Sequence, residues 1–568
     1  MNRILYIIAA ALCLASCSLE ENPYSNVTKD SFYQTPQQCK AALRALYAPA
    51  HYIYGEGFLY ATEACTDIWG TWGNNDNARL LITPANPGVA TTVWRYAYIG
   101  IMRANECIDC ITASSIDEDD KLPFIAEART MRALYYYILT SFFGDVPYYD
   151  YAVADLDTME QIRKLGRTDA KHIREVLYKD LKDNALPYFT EGNGLKVRAS
   201  QIADNHAGFA LAAMLMAKMA MWNQSWDDAL YALGQLEEVY GDLDNYPLNE
   251  IQWRYKNTDE GIFEIQHDWS ENGVQFYGAV ANILGPYFVN NSYNGITLPG
   301  MAQTTTSRRV FESSKHYALY RTNGKKLEEN AANSKAIFST LPLKFSDEIY
   351  NNTRYYTEID VAAIRTGVSE SGRSIDYRAI YKLGFGNVDL DDDGAGDTFE
   401  WTRTENRGFG GPQFWCPDMT KTYDSNNYRI FRYADAVLMK AECLYRNGEN
   451  ELAVDYINKV RKRAYTNPFT GKVASDYRYE FTTPEALFQQ IMDERARELG
   501  GEFQRKFDMV RWGNWVELTT KYSEISHVKN NIKSYHIYYP IPDTECALSQ
   551  GALDNEAYKA AAEEEPTE

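Results

Sequence analysis

Apolar residues recur with a helical period in several separated blocks of the chain. Residues 204–222, DNHAGFALAAMLMAKMAMW, are rich in Ala, Met and Leu and carry no Gly or Pro beyond Gly208, which predicts a helix. The next run, SWDDALYALGQLEEVY, offers Ser225 as an N-cap and sets Ala229, Leu233, Leu236 and Val239/Tyr240 on one stripe. In FRYADAVLMKAECLYRNGENELAVDYINKVRKRA, Ala434, Val437/Leu438, Ala441 and Leu444/Tyr445 share a face. Gly448 interrupts it, and Leu452, Ala453, Tyr456, Ile457, Val460 and Ala464 form the next face.

Two antiparallel helices about a short glycine turn are the unit of tetratricopeptide-type repeats, and small alanines where helices cross let backbones approach. The expected fold is therefore mainly α, a tetratricopeptide-like helical-repeat scaffold assembled from separated parts of the sequence. Between residues 246 and 425 the pattern changes. Gly, Asn, Ser, Tyr and Thr dominate, with short β-like runs such as GIFEIQHDW and DYRAIYKLGF. The expected organisation is a helical part over 28–245, a loop-rich insertion over 246–425 and a helical return over 426–568. Function sits more often in such loops than in packed helices.

The first residues follow another pattern. Arg3 precedes an apolar run that fits a secretory segment rather than a membrane span, and Leu14-Ala15-Ser16 lead into Cys17. This resembles the lipobox of bacterial lipoproteins. It implies a signal peptide over 1–16, lipidation of Cys17, and a linker over 17–27 tethering a water-soluble body. At 568 residues and 45% hydrophobic, the chain can bury a large core. Its formal net charge of −21 argues against nucleic acid or anionic lipid as partner. The seven cysteines left after Cys13 and Cys17 are scattered and odd in number, so they make no disulfide framework. Cys107 and Cys110 have redox-motif spacing, but RANECIDCI reads as helix, and two small helix cysteines account for them.

Candidate chemistry is sparse. No His-Glu-x-x-His, Gly-x-Ser-x-Gly or P-loop pattern occurs. A glycosidase needs two facing carboxylates, which spacing cannot reveal among 78 acids. One site is readable. Asp389, Asp391, Asp393, Asp397 and Glu400 fall at positions 1, 3, 5, 9 and 12 of a calcium loop, with Gly394 at 6 and the Ala395 carbonyl at 7. Five such carboxylates repel one another unless a cation neutralises them, so a structural Ca2+ is expected. Gly396 and the unhelical approach YKLGFGNV depart from a paired EF-hand.

Several segments in order resemble the SusD/RagB family of outer-membrane glycan-binding lipoproteins. They are SFYQTPQQCKAALRALY, VWRYAYIGIMRANECID, EARTMRALYYYILTSFFGDVPYY, RYADAVLMKAECLYRNGE with INKVRKRA, RARELGGEFQRKFDMVRWG and YYPIPDTECALSQGALDN. The resemblance implies a non-enzymatic protein at the cell surface of the outer membrane. It would capture oligosaccharides and deliver them to a SusC-like TonB-dependent transporter, with Glu20-Glu21 resembling a surface-export signal. A glycan-active hydrolase and a helical adaptor are the alternatives. The charges between Glu494 and Arg511 read as a salt-bridge-laced structural surface.

Sugars offer C–H faces that stack on aromatic rings and hydroxyls that need amide or carboxylate partners. The chain is aromatic-rich, with 44 Tyr, 23 Phe and 11 Trp, although most rings belong to a core of this size. Two loop segments combine both kinds of group. Residues 62–79 place Trp69 and Trp72 beside Asp67 and Asn74, and residues 267–295 offer Trp269, Tyr277, Tyr287 and Tyr293. Trp72, flanked by Gly70 and Gly73, is the leading glycan contact. Trp401 and Trp415 are next in line.

Overall fold

The computed structural model describes residues 32–71, 73–253, 255–269, 275–276, 278–284, 292–293, 296–297, 310–313, 315–316, 319, 376, 378, 382, 412–414, 416, 424–466, 471–474, 477–523 and 525–564. The first helix, α1 (Pro36–Arg44), opens on a capping box. Thr35 accepts from the Gln38 N–H, the Gln38 side chain returns to the Thr35 backbone, and Pro36 stands at the first helical position. Then come α2 (Ala48–Ile53), α3 (Glu56–Thr62), the strand β1 (Trp69–Thr71), and the long pair α4 (Ala90–Ala113) and α5 (Glu118–Phe143). Cys107 and Cys110 both lie on α4, as their flanks predict.

Helix α5 ends at Gly144, whose φ of 73° is a backbone state that favours glycine. Asp145 follows and accepts from the Ala170 N–H at 2.9 Å, which ties the turn to the start of α6 (Ala170–Asn184). The predicted pair 204–240 forms α7 (Phe209–Trp222) and α8 (Trp226–Tyr240). Ser225 occupies the N-cap position, but its hydroxyl makes no capping bond. Its backbone N–H closes the turn instead, donating to the Ala220 carbonyl at 2.9 Å.

The middle of the chain contributes β2 (Gly261–Ile265), β3 (Asp268–Trp269), β4 (Gln275–Phe276), α9 (Val280–Leu284), β5 (Ser292–Tyr293), β6 (Ile296–Thr297) and β7 (Val310–Glu312). After β8 (Tyr428–Arg432) the chain returns to helices: α10 (Tyr433–Arg446), α11 (Asn450–Ala464), α12 (Pro484–Leu499) and α13 (Arg505–Trp512). Gly448, at φ 82°, turns α10 into α11. Among the described residues the strands form four two-stranded antiparallel pairs: β1 with β7, β2 with β8, β3 with β4, and β5 with β6.

The protein is a mainly helical scaffold with few strands, as the periodicity predicts. Helices pack in succession, α4 on α5, α5 on α6, α6 on α7, α7 on α8, α8 on α10 and α10 on α11. The N-terminal and C-terminal helices share one core. Helix α5 from Ile125 onward and α7 up to Met221 are buried almost all round, which matches their lack of a polar face. Many tyrosines are interior residues whose hydroxyls find carbonyls: Tyr136 on Tyr149 at 2.8 Å, Tyr246 on Tyr240 at 2.6 Å, Tyr433 on Gly241 at 2.7 Å. No helix of the described residues is long and apolar enough to cross a membrane.

The charges between Glu494 and Arg511 are not the surface that alternating signs predict. Glu494, Glu498, Glu502, Arg495, Arg505, Lys506 and Asp508 are all buried. Arg432 at the end of β8 binds Glu498 at 2.6 Å, Glu502 at 2.8 Å and Glu260 at 2.9 Å. Arg378 reaches Glu494, Glu498 and Asp376, and Arg463 of α11 pairs with Glu260 at 3.0 Å and with Glu498. The neutralising partners come from distant sequence, so the local pattern carries no sign of the burial.

Candidate functional site

A floor of buried aromatic rings joins the roots of the two tryptophan-bearing segments. The Trp69 ring meets Phe414 at 6.5 Å, Phe414 meets Trp253 at 4.9 Å, and Trp253 meets Tyr428 at 5.4 Å. Tyr428 lies 4.1 Å from the His267 ring, and His267 leads directly into the β3–β4 hairpin. The chain therefore leaves one continuous floor at both places: past β1 toward residues 72–75, and past His267 into the hairpin that carries Trp269. Close packing of large rings fixes the roots of both segments.

The floor is tied together by polar groups that the sequence does not advertise. The Tyr428 hydroxyl accepts from the N–H groups of Ala279 and Val280 at 2.6 and 3.0 Å. The Asp424 carboxylate accepts from Ala281 and Asn426 at 3.0 and 3.1 Å. Both hold the start of α9 against β8. Burial pushes the Asp424 carboxyl up to about 7 against the pull of those two N–H groups. Below β1, Glu63 accepts from the backbone N–H groups of Gly501, Gln504 and Arg505 at 2.8–3.2 Å and caps α13. Burial likewise raises Glu63 to about 7.

Of the residues expected to touch glycan, two belong to the interior. Asp67 is fully buried and chelated by Arg505 Nε and Nη2 at 2.8 and 2.7 Å, with Lys315 Nζ 2.5 Å away. Burial alone would raise its carboxyl, but these two cations outweigh that and hold it below the ordinary carboxylate range. Trp69 is 1% exposed and packs on Phe414 and His316 as part of the floor. Trp69 is drawn in by the pairing of β1 with β7, and Asp67, two residues earlier, by its two cations and by the Ser313 hydroxyl on its carbonyl at 2.8 Å.

Asn74 is exposed just beyond β1, in a turn where the Gly73 N–H donates to Thr71 Oγ1 at 3.0 Å. Trp269 belongs to β3 and Tyr293 to β5. Trp72, Tyr277, Tyr287, Trp401, Trp415, Cys17 and the calcium-type loop from Asp389 to Glu400 lie outside the described residues. So does most of DYRAIYKLGF. Among the described residues no group of three acid, His or Cys side chains is arranged to hold a metal. Asp424 and Tyr428 were missed because they sit in what reads as the approach to a helix. The YRIFR run before α10 is the local signal of the strand that carries Tyr428, and Asp424 precedes that strand.

Comparison with known proteins bears on this arrangement. Residues 415–558 match the profile of the SusD family, and residues 19–205 match a profile described as starch-binding, associating with outer membrane. A SusD-like protein of Formosa agariphila is 25% identical over 597 residues, 98% of each chain. The starch-binding protein SusD of Bacteroides thetaiotaomicron is 23% identical over 89% of this chain and 86% of its own. Among solved structures, a SusD homolog from Bacteroides thetaiotaomicron superposes with a TM-score of 0.63 at 18% identity, over 94% of this chain and 98% of that one. Surface glycan-binding protein A of the same organism, in complex with laminarihexaose, gives 0.60 at 19% identity, over 91% and 98%. At these identities the solved structures establish a shared fold.

Proposed function

The chain belongs to the SusD/RagB family, and from that premise we propose that it is a lipid-anchored glycan-binding protein of the outer-membrane surface. It captures oligosaccharides and passes them to a SusC-like TonB-dependent transporter. The lipobox-like sequence before Cys17 supports the anchor, and the matched profile that speaks of outer-membrane association supports the location. The observation that carries the reading is that the segments leading to Trp72 and Trp269 both depart from one continuous floor of packed rings. Two aromatic segments rooted on one rigid base suit a chain of sugar rings, which need several stacking faces at fixed spacing.

No chemical step belongs to this proposal. The purified protein incubated with candidate polysaccharides should retain glycan and release no new reducing ends; turnover would favour a hydrolase. In calorimetry, Trp72→Ala and Trp269→Ala should each weaken binding by about 1–3 kcal/mol, as loss of a central aromatic anchor does, with melting unchanged. Normal binding by both variants would move the site toward Trp401 and Trp415.

Calcium is a second part of the proposal. The carboxylates of Asp389, Asp391, Asp393, Asp397 and Glu400 and the Ala395 carbonyl have the register to hold one ion in a structural role. An ion bound only by the folded state raises stability by mass action, here about 1–3 kcal/mol at saturation. Chelation should lower the melting temperature, and Asp391→Ala with Asp393→Ala should abolish the difference. An identical melt with and without chelator removes the ion from the account.

A further inference from the structure

A second aromatic surface adjoins the floor at the root of the β3–β4 hairpin. It is built from Tyr52 of α2 and Tyr96 of α4, two helices that pack on each other. The two rings stack with centroids 4.3 Å apart and planes 11° from parallel. Tyr52 nevertheless keeps 51% of its surface in solvent, the largest share of any aromatic side chain among the described residues.

A lone exposed ring is ordinary on a protein surface. Tyr52 differs in two respects, orientation and position. The parallel stack on Tyr96, itself partly buried against the main core, holds the Tyr52 ring in one orientation. A ring already ordered binds without the entropy loss of immobilising a free side chain.

Its position ties it to the candidate site. His51, the preceding residue, has its ring 5.7 Å from Tyr52 and 4.8 Å from His267. His267 continues the floor through Tyr428 and leads into the hairpin that bears Trp269. The exposed pair therefore branches from the same packed base as the hairpin, two ring contacts from His267. Polar groups frame it as well. The exposed Arg95 guanidinium lies 5.8 Å from the Tyr96 ring and offers donors in a planar fork, while the phenolic hydroxyls both donate and accept. A sugar ring presents the two matching surfaces, a C–H face for the aromatic ring and hydroxyls at its edge.

We propose that Tyr52, held by its stack on Tyr96, is a further sugar-stacking position, where a glycan chain seated at the main site makes a second contact several rings along. A short oligosaccharide fills the main site without reaching Tyr52, so this position selects for chain length. Its ligand class rests on the carbohydrate-binding reading, but its residues are not those of the main site.

The test uses the purified protein in calorimetry with laminarihexaose, maltohexaose, xylohexaose and mannohexaose, each beside its trisaccharide. Wild type should bind at least one hexasaccharide more tightly than the matching trisaccharide. Tyr52→Ala should weaken that hexasaccharide about three- to tenfold, the worth of one aromatic stack, and shift the trisaccharide by less than about twofold. Tyr52→Phe keeps the ring and should restore the hexasaccharide affinity. Trp269→Ala should weaken both lengths. Because Tyr52 is exposed, Tyr52→Ala should melt close to the wild type. Equal hexasaccharide affinity for wild type and Tyr52→Ala overturns the second contact. So does an equal loss at both lengths, or a wild type that binds none of the hexasaccharides. If polysaccharide is still retained in those cases, the reading of the main site stands; if it is not, both readings fall.

Discussion

Asp67 shows how a residue with the right chemistry for a sugar contact is claimed by the fold. Its carboxylate faces Arg505 and Lys315 inside the protein rather than solvent. Removing one member of such a buried cluster leaves the others uncompensated, at a cost of about 3–5 kcal/mol. Asp67→Asn should therefore lower the melting temperature sharply. Because the folded carboxyl titrates below its ordinary 3.8, the stabilisation is present above that pH and is lost as pH falls beneath it. Glycan affinity measured well below the melting transition should be unchanged. Lost affinity with an unchanged melt would return Asp67 to the binding site. Trp69 follows the same logic: a large ring beside glycines reads as a loop contact until strand pairing turns it inward.

At the scale of elements, the α4–α5 pair depends on one close approach. Gly100 of α4 is buried against the Tyr135 ring of α5, and a Cβ there would run into ring carbons. The ring cannot swing aside readily, because the Tyr135 hydroxyl is bonded to the Leu46 carbonyl. Alanine would gain about 1 kcal/mol in helix propensity but lose about 1–3 kcal/mol to overpacking. The pinned ring decides the sign. Gly100→Ala should destabilise the protein in denaturant titrations, and a stabilised variant would mean that the helices can separate at no cost. Helix positions were readable from the sequence because a 3.6-residue period is local, and the glycine turn at 448 falls where the apolar face breaks. The Gly100–Tyr135 contact was not readable, since either residue alone is ordinary in a helix.

For the whole molecule, the ion network around Glu498 ties together parts of the chain that are far apart in sequence. It joins the end of β8, α11, α12, Glu260 before β2, and Asp376 and Arg378 from the middle of the chain. Burial alone would raise the Glu498 carboxyl, but Arg463, Arg432 and Arg378 outweigh it and hold it well below its ordinary 4.5. The sign is that of a depressed acid: the stabilisation is complete above about 4.5 and disappears as pH falls below that value. Acid unfolding should be cooperative and followed equally by circular dichroism and tryptophan fluorescence. Glu498→Gln should cost about 3–5 kcal/mol at neutral pH, because three buried arginines lose a shared counter-charge. A variant as stable as the wild type would show that water or rearranged carboxylates replace the missing charge.

The sequence by itself determined the helical class, the main helical hairpins and the stop at Gly144-Asp145, because periodicity, breaker residues and turn chemistry act over a few neighbouring positions. Its ordered segments also carried the resemblance that the family comparison bears out. Tertiary structure alone decided which polar groups are interior. Asp67 meets Arg505 across more than four hundred positions, and Glu498 meets Arg432 across 66. Burial and ion pairing are set by contacts between distant parts of the chain, so no local spacing distinguishes an interior carboxylate from a surface one.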